Sequence, residues 1–334
     1  MNQPSETGSD SRHSTPMLLA IYRELRIAMV VVMVMLAAAV LLERRSATRF
    51  QSALSEYYYT SAHSIFIAAL LALSTLFFVY KGRNDTEDAL LTLAGVCTFT
   101  AALVPQGWPV EVWGSEELKD YNPGPAIQPN FTAIVIALVL GWSLMLLQHR
   151  HRYNHAKQRK SLGGRLALHF LRLVVAVGLI AMVFFQPLFI KHAHGAAGTL
   201  MIFSFVATVF CTAYVVGKQG KGRFHAFYRG TALLMLVTLI GVVTLHLVLA
   251  DSWRLWIIWL ESALILEFAA YWVVQTIELW DNPDPREQLP GGAQRRPGEG
   301  QTNRSLRERL KDELDQAKKE LAQAREEKSL LPLL

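Results

Sequence analysis

Eight predominantly apolar blocks, residues 27–42, 65–80, 89–104, 131–147, 166–190, 196–216, 231–250 and 255–277, alternate with short polar stretches, and few folds accept that pattern. A membrane-crossing helix needs about 20 residues, a length the shorter blocks reach once their flanking Tyr, Trp, Ser and Thr are added. The sequence therefore predicts an all-α polytopic membrane bundle with about eight transmembrane helices. The composition agrees, because the 52% of hydrophobic residues are gathered into blocks while only 18% of the 334 residues are charged. The first block reads as a retained span rather than a cleaved signal peptide, since its apolar core is long and a polar segment precedes it. Cys97 and Cys211 fall in different blocks and read as packing residues, not as a disulfide or metal pair.

Loop charge orients the bundle. The segment 149–165 carries Arg150, Arg152, Lys157, Arg159, Lys160 and Arg165, and the bias of Lys and Arg places it in the cytoplasm. Alternation then puts Arg12, Arg23, Arg26, Lys81, Arg83, Lys218, Lys221, Arg223 and Arg229 on the same side, with both termini. The predicted outer segments hold Arg44, Arg45, Arg49, Lys119, Lys191 and Arg254. Residues 43–49 are the exception, because Arg44, Arg45 and Arg49 there run against the bias. The expected location is the cell membrane, plasma or inner, crossed many times.

Four regions follow. Residues 1–26 form a polar cytoplasmic lead and residues 27–280 the transmembrane bundle. Residues 281–303, rich in Pro, Gly and polar side chains, form a flexible linker. Residues 304–334 form an amphipathic cytoplasmic helix or short coiled coil: Leu310, Leu314, Ala317, Leu321 and Ala324 recur at alternating four- and three-residue spacing. Its charges nearly balance between 304 and 328, which favours self-association or docking to a partner helix over binding to anionic lipid. The outer loop 105–130 carries repeated proline together with Trp108, Trp113 and Tyr121, as a cap at the interface would.

Ionisable residues in a membrane are costly and mark function. Glu261 and Glu267 lie in the last block, about 120° apart around a helix, so they do not share one site. On the predicted outer face stands the run SEYYYTSAH, with Ser55, Tyr57, Tyr58 and Tyr59, whose rings suit the headgroup level. His192, His194 and Trp253 fall on that side too, and with Glu261 complete a candidate polar binding pocket. His63, His192, His194, His246 and Asp251 are the candidate ligands for a metal, and Zn²⁺ is the ion that such a His and carboxylate set takes. No HExxH pattern accompanies them. The small residues Gly195, Ala196, Ala197 and Gly198 favour close helix approach.

The run SEYYYTSAHSIF, the following YKGRNDTEDALLTLAGVCTFTAALVP, the His and small residues of KHAHGAAG, Tyr228-Arg229-Gly230 and Trp259-Leu260-Glu261 resemble a family of uncharacterised bacterial multispan membrane proteins. The resemblance implies a membrane architecture and a set of outer-side residues, and no reaction. Two departures matter: the family carries arginine where this chain has His63, and it has about six spans, so residues 106–190 read as an insertion.

Three functional readings follow. The leading one is a non-enzymatic membrane protein whose outer pocket binds a small molecule or lipid headgroup, with the cytoplasmic helix for assembly. The second is a zinc-dependent hydrolase of a lipid amide or ester with Glu261 as its catalytic base. The third is a proton-coupled transporter using Glu261 and Glu267. Nucleic acid is not an expected partner, because the basic residues lie in short loops and follow from topology.

Overall fold

In the computed structural model residues 10–46, 51–106, 161–249, 253 and 255–280 are described, with isolated helical positions between 129 and 143 and with side chains from Ala20 onward. All fall within the unit Met1–Gly292. The elements are α1 (Asp10–Ser46), a short 3₁₀ segment (Leu54–Tyr59), α2 (His63–Val79), α3 (Asp85–Leu103), α4 (Leu162–Phe184), α5 (Gln186–Lys218), α6 (Gly222–Leu249) and α7 (Trp256–Glu278). No strand occurs among the described residues. Six of these helices are long and apolar enough to cross a membrane, and α2, with 17 residues, is a shorter apolar helix. The protein is a multispan helical membrane protein. The predicted span 131–147 lies largely outside the described residues, as do the cap 105–130 beyond Gln106, the basic loop before Ser161, and the linker and helix after Trp280.

Local chemistry sets the helix ends. Asn84 caps α3 by accepting from the backbone N–H of Thr86 and Glu87, each at 2.9 Å, and Asp85, Glu87 and Asp88 in the first turn complement the helix dipole. Ser161 caps α4 through Gly164 N–H at 3.0 Å, and its own N–H donates to Asp85 Oδ2 at 2.8 Å. Gly220, at φ 72°, turns the chain between α5 and α6.

The apolar block 166–190 is not one helix. It divides at Phe185, with φ −130° and ψ 47°, and α5 begins at Gln186 with Pro187 in its first turn. Proline lacks the N–H that would continue α4, and its ring crowds the carbonyl four residues back, whereas the first turn of a new helix accepts it. His192 and His194, expected in a loop ahead of the next span, consequently lie inside α5. At the other end of the sequence α1 starts at Asp10, so the polar lead 1–26 is helical from that residue on.

Helices adjacent in sequence pack together, α7 returns to α1, and α5 runs against α3 and also touches α7. The main core lies where α2, α3, α5 and α7 meet. Phe205 stacks on Phe268 at 4.0 Å, with Phe77 edge-on to Phe205 at 5.7 Å. Gly95 sets the α2–α3 approach: Ser74 Oγ donates to its carbonyl at 2.8 Å, and a Cβ at that position would stand 3.0 Å from the Phe78 ring and 3.2 Å from the Ser74 carbonyl oxygen. Gly95→Val should therefore cost about 1–3 kcal/mol by overpacking. Gly178→Ala, where a Cβ meets open space, should hold or slightly raise stability. Scanning fluorimetry of the detergent-solubilised variants checks both.

Candidate functional site: two polar ends of one bundle

At one end of the bundle the 3₁₀ segment is seated against α7. Ile258 N–H donates to Ser52 O at 2.9 Å, and Leu54 N–H donates to Glu261 Oε2 at 2.7 Å. Glu56 accepts from both the N–H and the hydroxyl of Ser52, at 2.7 and 2.6 Å, so it folds back on the residues that lead into its own turn. The hydroxyls of Ser55 and Tyr59 both reach Gln106, which follows α3. Tyr58 stands edge-on to Tyr59 at 5.1 Å and to His63 at 4.4 Å, and the His63 ring donates from Nδ1 to the Tyr58 carbonyl. Tyr57 is buried, with 1% of its surface exposed. Burial pushes its phenol above the usual range, against the opposing pull of nearby Arg44. Ser55, Tyr57, Tyr58, Tyr59 and Glu261 thus lie at one end of the bundle, in a closed cap bonded within itself.

The histidines do not gather. His192 and His194 are two positions apart on α5, a spacing at which side chains point to different faces. His192 is exposed, whereas His194 bonds the Val104 carbonyl through Nδ1 at 2.7 Å. His246 stacks on Trp256 at 4.2 Å. Trp253 is half-buried, and Asp251 lies outside the described residues. Among the described residues no three His, Cys, Asp or Glu side chains group as metal ligands would. Glu261 and Glu267 diverge as helical geometry requires, the first toward the 3₁₀ segment and the second toward Thr238 of α6, whose hydroxyl donates at 2.7 Å.

Beside the cap, Val40, Leu41, Arg44, Tyr57, Ile258, Trp259 and Ser262 line a cleft of about 80 Å³ between α1 and α7. Of the pocket residues expected from sequence, only Tyr57 lines it. Arg44 was visible as an exception to the loop-charge rule, a signal that points to a side chain with work outside topology.

The opposite end holds a second polar cluster that sequence reading missed. The Glu278 carboxylate accepts from both terminal nitrogens of Arg83, from Lys221 Nζ at 3.0 Å and from Tyr228 Oη at 2.7 Å. Burial alone would lower the Arg83 pKa, but Glu278, Tyr228 and Glu87 together raise it by more, so the guanidinium stays charged. Deeper in, hydrogen bonds run in one direction. Arg26 donates to Tyr80 Oη at 3.5 Å, Tyr80 to Gln275 Oε1 at 3.2 Å, Gln275 to Tyr271 Oη at 3.0 Å, and Tyr271 to Glu87 Oε1 at 3.2 Å. Arg26, Arg83, Glu87 and Gln275 are fully buried. The available signal was the polar stripe Tyr271, Gln275, Glu278 on one face of α7; Arg26 and Arg83 were read only as topology markers.

No family model, curated protein or solved structure matches the chain.

Glu278→Ala should strand a buried guanidinium and cost about 3–5 kcal/mol, seen as a large fall in thermal midpoint. At the cap, Glu261→Gln keeps an acceptor oxygen for Leu54 N–H and should preserve amide protection, whereas Glu261→Leu should speed hydrogen–deuterium exchange at 54–59.

Proposed function

We propose that the chain is a multi-pass protein of the plasma or inner membrane, with eight spans and both termini in the cytoplasm. Its capped end faces outward and binds a small amphiphile or lipid headgroup without transforming it. The helix at 304–328 self-associates or docks a partner helix on the cytoplasmic side.

The observation that carries the ligand reading is the composition of the cleft. Arg44 and the Ser262 hydroxyl supply polar recognition, Tyr57 forms one wall, and Val40, Leu41, Ile258 and Trp259 supply an apolar surface. One cation beside an apolar wall suits an anionic headgroup that continues into a hydrocarbon chain. About 80 Å³ accepts part of such a molecule, with the remainder lying along the bilayer. This reading also gives Arg44 a reason to stand on the side that the loop-charge bias disfavours. The engagement of Ser55, Glu56, Tyr59, His63, His194 and Glu261 in hydrogen bonds to neighbouring groups supports a rigid rim rather than catalytic machinery.

Native mass spectrometry from nanodiscs of mixed anionic and zwitterionic lipid tests it. Wild-type protein should retain anionic lipid preferentially, and Arg44→Gln should weaken that retention by roughly tenfold, the scale of one charge-assisted contact. Equal retention of both lipid classes by wild type and variant would remove the proposal.

A further inference from the structure

Two charged side chains lie near the middle of their helices, Arg172 on an exposed apolar surface and Glu267 in a groove. Arg172 is the eleventh residue of the 23-residue α4 and is exposed. Around it the α4 surface is apolar, with Leu166, Leu173, Val177 and Ile180 all exposed. Glu267 is the twelfth residue of the 23-residue α7, half-buried in the groove with α6. One of its oxygens accepts from Thr238, and the other, Oε2, is covered by the chain itself and has no hydrogen-bond partner, so pairing with a second copy requires the side chain to rotate outward. Among the described residues the ion pairs all converge on Glu278, and neither Arg172 nor Glu267 takes part in one.

The two groups share a depth. Ser161, eleven residues before Arg172, bonds Asp85 at the start of α3, and Glu278, eleven residues after Glu267, pairs with Arg83, two residues before α3. At about 1.5 Å of rise per residue, Arg172 and Glu267 therefore stand within roughly one helical turn of the same level. An arginine side chain is long enough to close that offset. They occupy different sides of the bundle, since α4 packs on α3 and α5 while Glu267 faces α6.

We propose that the protein assembles in the membrane plane with further copies of itself, Arg172 of one copy pairing with Glu267 of the next. Opposite charge at matching depth selects a second copy as the occupant of both faces. Leaving Arg172 in lipid or a Glu267 oxygen buried without a partner is costly, and pairing offsets both in one contact. The predicted span 131–147 has no carboxylate to offer Arg172. Because the two faces differ, the contact is head-to-tail, and repetition builds a ring rather than a twofold dimer. The proposal is independent of the cleft and its ligand.

The test is a charge-reversal cycle on the full chain in nanodiscs, with copy number read by native mass spectrometry. Arg172→Glu and Glu267→Arg alone should each lower the association constant roughly tenfold or more, as loss of one partner of a desolvated pair does. The double reversal should restore assembly, which misfolding would not allow. A cross-linking arm uses a Cys97→Ala/Cys211→Ala background in which Arg172→Cys and Glu267→Cys chains are co-expressed and oxidised. A disulfide between the two chains is expected. Single copies throughout, assembly indifferent to the reversals, or a double reversal as defective as the singles would overturn the proposal, as would the absence of the inter-chain disulfide.

Discussion

The Glu278 carboxylate is the group on which the closure of one end of the bundle depends. It gathers donors from the α2–α3 connection, from the turn before α6 and from α6 itself, so elements far apart in sequence share one acceptor. A buried carboxylate with so many donors compensates the desolvation of the cations around it. Arg23 adds to this closure by donating to the Trp280 carbonyl at 2.8 Å while lying over the Trp280 ring. The exit of α7 is thereby fixed on both sides. The one-way run of hydrogen bonds from Arg26 to Glu87 links the same end to α1 and α3, a cation at its start and a carboxylate at its finish, an arrangement in which neighbouring bonds reinforce one another.

The other end is closed by different chemistry. There the backbone of the 3₁₀ segment supplies the donors and α7 supplies an acceptor, Glu261, so α7 carries a carboxylate near each of its ends. Between them the core is aromatic, with Phe268 stacked on Phe205 and nearly parallel to Tyr271. One helix thus carries an acceptor toward each polar cluster and aromatic packing between them, which keeps the two clusters in fixed register.

Much of the architecture was legible in the sequence because hydrocarbon imposes a simple rule on side chains. The blocks at 65–80, 89–104, 196–216, 231–250 and 255–277 each mark a helix. The block at 166–190 misled because apolarity says nothing of backbone continuity: Pro187 divides it, and that division carried His192 and His194 into α5. The run SEYYY was placed correctly at a helix entrance and its polar character was evident, but whether such groups face a ligand or each other depends on neighbours from α3 and α7. Composition cannot report those neighbours. Arg26 and Arg83 were hidden for a related reason, since charge bias explains an arginine near a loop equally well whether it is solvated or fully buried. Most of residues 131–147 and the seam after 304 lie outside the described residues, so their expectations stand as sequence readings.

The position of Arg26 also bears on how the chain is made. Its acceptors, the Tyr80 hydroxyl and the Leu279 carbonyl, lie 54 and 253 residues further along. During synthesis α1 enters the membrane long before α7 has left the ribosome, and until then water and headgroups must solvate that guanidinium. Its final burial is an event of the last helix, so the order of manufacture and the order of completion run in opposite directions.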